Sequence, residues 1–385
     1  MGEGRFIAAM LLFTDVTTGV DDPYLARALR LAERGRGATA PNPCVGCVVV
    51  AGGRIVGEGY HPRAGQAHAE VFALADAGVL ARGADVYVTL EPCAHHGRTP
   101  PCTDALISSG VASVTIGMRD PSAEARGGVE ALASAGIAVH VSEAPEPFMR
   151  ANTGWLKRIA VGLPWVTVKV GASIDGRPAI TYGERASMTG PSGAQVTRLM
   201  RSRCDAVVVG ASTVVADDPE LTVRDESGRR AEHNPLRVVL ARSVAPPLDA
   251  RVFVDAHAPT MLLAPQRLLD GVGGHLPRGV TTMAYDEDEG VAGALRALGS
   301  HGVNDVLVEA GPRLLDAIVS ADVADEIVVV TGGGFAGDSA PAMLVGDACA
   351  GQTELSRPFA ACESAVVGDI AVTKWIRCSP ECGSA

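Results

Sequence analysis

Residues 89–102 read Thr-Leu-Glu-Pro-Cys-Ala-His-His-Gly-Arg-Thr-Pro-Pro-Cys, so that Cys93 follows a predicted strand and Cys102 begins a predicted helix. Upstream, His68-Ala-Glu70 opens another predicted helix. A catalytic zinc needs three protein ligands and one open position, with a carboxylate beside the metal that does not bind it. One histidine and two cysteines supply the ligands, and Glu70 supplies the carboxylate. The pattern therefore predicts a hydrolytic Zn²⁺ site at His68, Cys93 and Cys102.

The order of these residues also indicates a class of reaction. His-x-Glu followed by Pro-Cys is typical of nucleobase deaminases, in which the glutamate carries a proton from water to the ring and on to the leaving ammonia. Most deaminases space their cysteines as Cys-x-x-Cys, whereas here eight residues separate Cys93 from Cys102. A lone histidine or cysteine usually belongs to the core, but four matched positions argue against that interpretation. Cys44 and Cys47 lack a second pair to complete a metal site, so we expect them to be structural.

The pattern of strands and helices around this site favours an α/β sandwich. Residues 47–51 and 54–58 flank Gly52-Gly53, the glycine pair expected at a tight hairpin turn. Apolar periodicity then predicts helices over 68–77 and 103–109, and buried strands over 85–90 and 112–117. Strands that alternate with helices in this way are typical of a sheet covered by helices.

Length and proline content predict more than one domain. A chain of 385 residues exceeds what one ordinary hydrophobic core accommodates. Prolines between 145 and 164 interrupt the pattern, and strands alternate with helices again after them. We therefore predict an N-terminal extension, a zinc domain, a linker and a second α/β domain, over residues 1–20, 21–145, 146–163 and 164–385.

Composition argues against several classes of function. Apolar residues make up 47% of the chain and charged residues 20%, as in a folded globular protein. A net charge of −11 makes nucleic acid a poor partner, because phosphate backbones repel an acidic chain. The apolar stretch 6–13 is shorter than the roughly 20 residues of a membrane span, so we expect no membrane association. Nine cysteines without a secretory signal favour reduced thiols and a cytoplasmic location.

The second domain has no Gly-x-Gly-x-x-Gly after its first strand, so a Rossmann-type fold is not supported. At 305–312, however, the pattern predicts a strand, a turn at Ala310-Gly311 and a helix that begins at Pro312. A helix N-terminus that faces a turn of small residues binds phosphate through free backbone N–H groups and the helix dipole. Arg313 adds positive charge there. An ordinary strand-to-helix turn is the alternative interpretation.

Several longer strings resemble one family. They are Pro41-Asn-Pro-Cys-Val-Gly-Cys47, the stretch 89–102, Val168-Lys-Val-Gly-Ala-Ser-Ile-Asp-Gly-Arg177, the stretch 209–224 and Val308-Glu-Ala-Gly-Pro-Arg-Leu314. With them, residues 21–380 are similar to the bifunctional riboflavin biosynthesis deaminase/reductases, the RibD family. The resemblance implies a cytidine-deaminase-like α/β/α domain followed by a dihydrofolate-reductase-like α/β domain.

The resemblance also implies two reactions, with Zn²⁺ and NADPH as cofactors. The first is hydrolytic deamination of diaminohydroxyphosphoribosylaminopyrimidine, and the second is reduction of its ribosyl group to a ribityl chain. In the deaminase, contacts to this phosphorylated substrate are implied for Asn42, Arg98 and Asp120. In the reductase, substrate contacts are implied for Arg201, Leu221, Arg224 and Glu309. Contacts to NADPH are implied for Gly171, Thr213, Asp217, Gly311, Pro312, Arg313, Leu314, Leu315, Asp316 and Ala317.

Two departures from the family's pattern leave a second interpretation open. Asp120-Pro-Ser-Ala123 lacks an asparagine that the family usually has, and Arg185 and Ser187 stand where it commonly has a serine and a tryptophan. The alternative is a paralogue with an active deaminase and a weakened or altered reductase, acting on a related pyrimidine in secondary metabolism. The sequence leaves open the oligomeric state, a homo-oligomer included, and the role of residues 1–20.

Overall fold

The protein divides into two compact units in the computed structural model. The structure describes residues 15–95, 100–122, 125–178, 188–224, 229, 231, 233–272, 274–344 and 359–378. The first unit is 15–160, and the second comprises the described residues from 161 onward. Both are α/β, as the sequence predicts. No helix among the described residues has the length and apolar character of a membrane-spanning segment.

The first unit is built on a five-stranded mixed sheet. Its strands are β1 (Gly46–Ala51), β2 (Arg54–Tyr60), β3 (Asp85–Val88), β4 (Ser113–Ile116) and β5 (Ala138–Val141), in the spatial order β2-β1-β3-β4-β5. β1 is antiparallel to both of its neighbours, whereas β3, β4 and β5 are parallel. The predicted hairpin turn is confirmed, since Gly52 and Gly53 connect β1 to β2 with φ of +57° and +74°.

Helices cover both faces of this sheet and complete an α/β/α sandwich. They are α1 (Pro23–Ala32), α2 (Ala69–Ala77), α3 (Cys102–Ser109), α4 (Gly128–Ser134), α5 (Glu146–Ala151) and α6 (Thr153–Val161). Alternate residues of β1 point to opposite faces: Cys47 and Val49 pack with α2, whereas Val48 and Val50 pack with α1. Burial on both faces explains why this strand is a continuous apolar run.

Most of the segment 146–163, predicted as a linker, instead belongs to the first unit. It forms α5 and α6, where Phe148 is 1% and Trp155 is 6% exposed. Both side chains pack with Leu29 of α1 and with Met118. The prolines around α5 do not mark a flexible connection, because proline is tolerated at the start of a helix, where its missing N–H has no partner to lose.

The second unit contains a nine-stranded sheet. Its strands are β6 (Trp165–Ala172), β7 (Ala206–Gly210), β8 (Leu236–Leu240), β9 (Thr260–Ala264), β10 (Val280–Ala284), β11 (Asp305–Glu309), β12 (Glu326–Gly332), β13 (Phe359–Val367) and β14 (Ile370–Arg377). They lie in the order β10-β9-β8-β7-β11-β6-β12-β14-β13. The strands from β10 to β12 in this order are parallel, and β14 and β13 join antiparallel.

Helices pack on both faces of this sheet as well. They are α7 (Gly190–Arg201), α8 (Ala211–Asp217), α9 (Arg251–Val254), α10 (Gln266–Val272), α11 (Gly290–Ser300) and α12 (Pro312–Ser320). α7, α9 and α10 bury apolar residues on one face, and α11 and α12 do so on the other. Ligands of open parallel sheets bind outside the carboxyl ends of the strands. A ligand is therefore expected at the loops that follow the adjacent strands β7, β11 and β6.

Replacing Phe148 with alanine tests the place of α5 in the first core. We expect the free energy of unfolding to fall by about 3–5 kcal/mol, because the substitution removes a buried ring and leaves a cavity. Met149→Ala, at the next position, is the matched control: Met149 is 43% exposed, so stability should change by less than about 0.5 kcal/mol. Denaturant unfolding followed by tryptophan fluorescence measures both variants. Two equally small effects would restore the linker interpretation.

Candidate functional site

Three metal-ligand side chains meet in the first unit. His68 is the N-terminal cap of α2, Cys93 follows β3, and Cys102 is the first residue of α3. His68 Nδ1 lies 3.2 Å from Cys102 Sγ and 3.6 Å from Cys93 Sγ, and the three ligand atoms are all within 4.8 Å of one another. No other such group occurs in the part of the chain that the structure describes. The predicted ligand set is therefore brought together by elements that are distant in sequence.

Two glycines of β2 let the helix with the histidine ligand pack directly on the sheet. A Cβ atom at Gly57 would lie 2.2 Å from the carbonyl oxygen of Ala73, and one at Gly59 would lie 2.3 Å from that of Ala69. Such separations are far below van der Waals contact. Any larger residue at either position would push α2, and the ligand at its start, away from β2.

Glu70 lies in the first turn of α2 and is only 3% exposed. Its Oε2 atom is buried and has no hydrogen-bond partner among the described residues. Burial raises the pKa of Glu70 above its ordinary value. A buried carboxylate oxygen without a partner is costly unless something else satisfies it. Beside one histidine and two cysteines, it fits a hydrolytic zinc centre.

The two cysteine ligands interact directly. A hydrogen bond from Cys102 lowers the pKa of Cys93, and the same bond raises the pKa of Cys102. The backbone N–H of Cys102 also donates to Cys93 Sγ, at 3.4 Å, from the N-terminus of α3. Since the thiolate is the form that binds metals, this end of α3 prepares Cys93 for ligation.

Asn42, predicted to contact the pyrimidine, is oriented by a histidine to which the sequence analysis assigns no role. Asn42 Nδ2 lies 3.0 Å from His61 Nε2, and His61 Nδ1 lies 3.0 Å from the carbonyl oxygen of Ala67. A carbonyl oxygen only accepts, so His61 donates from Nδ1 and accepts the Asn42 amide at Nε2. His61 is 2% exposed, and its ring meets that of His68 edge-on with centroids 5.4 Å apart.

Asp120, the second predicted substrate residue, is held by Glu91. The buried Glu91 carboxylate accepts three backbone N–H groups: those of Asp120 at 3.2 Å, Gly127 at 3.0 Å and Val129 at 3.1 Å. Glu91 stands two residues before Cys93. It therefore ties Asp120 and the start of α4 to the turn with a metal ligand. Burial raises the pKa of Asp120. Arg98, the third predicted substrate residue, lies outside the described residues.

A cleft of about 650 Å³ lies in the second unit, by the carboxyl ends of β6, β7 and β11. It is lined by every predicted substrate residue of this unit and by most of the predicted NADPH residues: Arg201, Leu221, Arg224 and Glu309, together with Gly171, Thr213, Asp217, Gly311, Pro312 and Arg313. The cleft therefore joins residues that are more than 100 positions apart in the sequence.

Four residues predicted to contact NADPH do not line the cleft: Leu314, Leu315, Asp316 and Ala317. Leu315 is 4% exposed and belongs to the hydrophobic core, because α12 packs this side against the sheet, and Leu314 packs against the same core. The contacts of these four residues to NADPH stay predictions. Only the turn and the first residues of α12 face the cleft, where backbone N–H groups lack intrahelical partners.

An ion pair and a lysine dominate the electrostatics of the cleft. Arg201 Nε and Nη2 donate to the two carboxylate oxygens of Glu309, at 2.5 and 2.9 Å. Burial would raise the pKa of Glu309, but Arg201 and Lys169 lower it below its ordinary value. Lys169 stands in register with Glu309 on the neighbouring strand, and burial lowers its pKa. Lys169 is not among the predicted site residues, although a lysine inside an apolar strand, in a chain with three lysines, points to a functional position.

Both units are similar to known families. The family model of the cytidine and deoxycytidylate deaminase zinc-binding region matches residues 19–118, and that of the RibD C-terminal domain matches residues 164–357. The riboflavin biosynthesis protein RibD of Escherichia coli is 42% identical over 323 residues, which cover 80% of this chain and 86% of that protein. Its counterpart from Aquifex aeolicus is 39% identical over 311 residues, with coverage of 80% and 86%.

Solved structures agree with these sequence similarities. Acinetobacter baumannii RibD has a TM-score of 0.81 and 36% identity, over 92% of this chain and 98% of that chain. A diaminohydroxyphosphoribosylaminopyrimidine deaminase/5-amino-6-(5-phosphoribosylamino)uracil reductase from Thermotoga maritima has a TM-score of 0.79 and 31% identity, with the same coverage. The similarity thus extends through both units.

Metal content tests the ligand set. Purified protein should contain one zinc ion per chain, and Cys93→Ser should lose it, because serine does not replace a thiolate ligand. Cys44→Ala is the matched control and should retain zinc, since Cys44 stands outside the ligand group and its backbone is held by Asn152. Elemental analysis of both variants measures the zinc content per chain. Stoichiometric zinc in Cys93→Ser would contradict the assignment.

Proposed function

Because the chain belongs to the RibD family, we propose that it catalyses two steps of riboflavin biosynthesis, a deamination in the first unit and a reduction in the second. The observation that carries the proposal is the buried Glu70 oxygen, which has no partner among the described residues and lies near the three ligand atoms, in a chain that also contains the cleft of the second unit. The substrate we assign is the diaminohydroxyphosphoribosylaminopyrimidine named for the Thermotoga maritima relative. The cofactors we assign are Zn²⁺ and NADPH.

No observation on the described residues favours the alternative paralogue. Arg185 and Ser187, on which it partly rests, lie outside the described residues. Ser122, which stands where the family usually has an asparagine, donates its backbone N–H to Asp120 Oδ1 at 2.8 Å. Because this bond uses only the backbone of residue 122, a serine in place of asparagine leaves it intact, and the bifunctional assignment is retained.

In the deamination, Glu70 moves the protons. The chemistry that zinc supplies, when held by His68, Cys93 and Cys102, is the activation of water for attack on the ring carbon with the amino group. Glu70 takes a proton from that water and passes it to the ring nitrogen, and then delivers a proton to the departing amine. A carbon–oxygen bond forms and a carbon–nitrogen bond breaks, so ammonia leaves. Asn42, oriented by His61, pairs with the edge of the pyrimidine.

In the reduction, Lys169 acts as the acid. The chemistry that NADPH supplies when bound is a hydride for C1 of the ribosyl group. The bond between C1 and the ring oxygen breaks, and that oxygen then needs a proton to become a hydroxyl. Lys169 lines the cleft beside Glu309, and its lowered pKa makes the ammonium group a better proton donor. Glu309, kept ionised by Arg201, accepts hydrogen bonds from the sugar hydroxyls.

Glu70→Gln tests the first half of the proposal. The variant should keep its zinc but lose ammonia release by about 100- to 10,000-fold, because the amide cannot transfer protons. NADPH oxidation with the deaminated substrate should be unchanged. Glu130→Gln, an exposed glutamate of the same unit, is the control and should keep both activities. If Glu70→Gln is instead free of zinc, Glu70 is a ligand and the mechanism is wrong.

Lys169→Met tests the second half. Turnover of NADPH with the deaminated substrate should fall by about 100- to 10,000-fold, because the variant has no proton donor at this position. NADPH binding, followed by cofactor fluorescence, and ammonia release should remain. Lys157→Met removes a lysine from α6 of the first unit and serves as the control. Normal NADPH turnover in Lys169→Met would refute the assignment of the acid.

A further inference from the structure

One leucine of the cleft in the second unit has a left-handed backbone. Leu221 lines the cleft and has φ of +56°, and it is only 2% exposed. In the left-handed region the Cβ atom of an L-residue lies too close to the following carbonyl oxygen, so glycine, asparagine and aspartate are the residues that usually occupy it. A leucine keeps this conformation only if its surroundings hold it, and strained residues of this kind cluster at functional sites.

Two arginines hold the backbone on either side of Leu221. Arg237 Nη1 donates to the carbonyl oxygen of Glu220 at 3.0 Å, and Arg201 Nη1 donates to that of Thr222 at 3.2 Å. The carbonyl group of Glu220 belongs to the peptide plane that sets φ of Leu221. The contact made by Arg237 therefore acts on the strained angle itself.

Arg237 lies on β8, behind the cleft, and is not one of the residues that line it. It is 1% exposed and is the largest fully buried side chain among the described residues. Asp255 Oδ1 accepts its Nη1 at 2.6 Å, and the carbonyl oxygen of Ala258 accepts its Nη2 at 2.9 Å. Its Nε has no hydrogen-bond partner in the described part of the chain. Because desolvation offsets the attraction within a buried ion pair, stability alone is a weak reason for an arginine here.

The loop around the leucine is held at its two ends by other residues. Asp218 Oδ1 accepts the backbone N–H of Arg251 at 2.7 Å, and Asn234 Oδ1 accepts that of Val223 at 2.7 Å. The ends of the loop are therefore tied to the start of α9 and to the segment before β8. Arg237 differs because its contact falls next to the strained residue. Its loss would let the middle of the loop relax while the ends stay in place.

We propose that Arg237 is a positioning residue of the reductase, which holds Leu221 in its left-handed conformation and so keeps the wall of the cleft in the shape that binds the ribosylaminopyrimidine. This inference rests on the function proposed for the second unit. Arg237 acts through Leu221 and does not touch the substrate. The folded protein maintains the strain in advance, so binding does not have to create it. Without the arginine, only the fraction of molecules with the left-handed leucine would bind substrate.

A double variant without the buried charges tests the positioning role. Arg237→Met/Asp255→Asn leaves neither charge unpaired, and the asparagine keeps an acceptor for the backbone N–H of His257, which lies 3.1 Å from Asp255 Oδ1. The KM of the deaminated substrate should rise roughly 5- to 30-fold, which is the population penalty of a left-handed leucine. Its kcat should change less than about twofold, because bound substrate restores the loop.

Arg377→Met is the matched control. Arg377 pairs with Asp322, which has φ of +55°, and its Nε donates to the carbonyl oxygen of Ala324 at 2.7 Å, outside the cleft. This variant should leave the substrate KM unchanged. Arg237→Lys keeps the charge opposite Asp255 but lacks the planar fork of donors, so its KM should lie between those of the parent and the double variant.

Hydrogen–deuterium exchange without any ligand separates this inference from the proposed function. Peptides that cover residues 218–224 should exchange faster in the double variant than in the parent, whereas peptides from β7 and β11 should not. If the loop loosens in this way but the parent oxidises no NADPH with the deaminated substrate, the proposed reductase function fails and the role of Arg237 in holding the loop stands. Equal exchange of residues 218–224 in both proteins overturns the inference.

Other outcomes would also overturn the inference. A lower melting temperature with an unchanged substrate KM would mean that Arg237 serves only the stability of the fold. A rise in KM in Arg377→Met as large as in the double variant would mean that the effect is not specific to the cleft. If the double variant does not fold, Arg237→Lys receives the same two measurements, and a parental KM with parental exchange in that variant contradicts the positioning role.

Discussion

The contact between α2 and β2 is the constraint on which the metal centre depends. Successive strand residues face opposite sides of a sheet, so Gly57 and Gly59, two apart, present one smooth surface to the helix. The backbone of α2 rests on that surface, and the start of the helix holds His68 and Glu70, the proposed ligand and the proposed catalytic carboxylate, at fixed positions. The other ligands belong to elements packed on the same sheet. A centre assembled from three separate elements keeps its geometry only if their packing is rigid.

The two sites differ in whether their charged side chains are paired. The first contains a buried carboxylate oxygen of Glu70 that has no hydrogen-bond partner among the described residues, as fits a site that takes up a group from outside the chain. In the second, acidic residues compensate most cations, and the Glu309 carboxylate stays charged because Arg201 faces it. Ion pairing of this kind fixes long side chains before a ligand arrives, which lowers the entropy cost of binding.

The buried central strands of both sheets could be predicted from the sequence, whereas the strands at the sheet edges were harder to predict. β1, β7 and β11 are short apolar runs whose burial on both faces makes them easy to recognise, whereas β10 is an edge strand with mixed, largely exposed residues. β13 and β14 were not predicted; they lie at one side of the sheet, where β14 pairs with β12 and the edge strand β13 pairs with β14. The short helices α8, α9 and α10 are stabilised by tertiary packing more than by their own periodicity.

Some site residues can be recognised from the sequence by their type and order, whereas the roles of others depend on contacts that only the fold creates. Zinc chemistry restricts its ligands to few residue types, so His68, Cys93 and Cys102 could be recognised by type and order alone. The roles of Glu91 and His61 could not, because each depends on partners that only the fold supplies. Glu91 reaches Val129, 38 residues away, and His61 reaches Asn42 across 19 residues. Nothing local distinguishes a glutamate that accepts three backbone amides from one that faces solvent.

The Glu91 carboxylate has a consequence for motion in the first unit. Three amide protons, those of Asp120, Gly127 and Val129, share this one acceptor, so all three lose their protection when Glu91 withdraws. They should therefore exchange with deuterium as one cooperative group and not as independent sites. Glu91 lies two residues before Cys93. The exchange rate of these three amides therefore measures how often the turn that contains Cys93 opens.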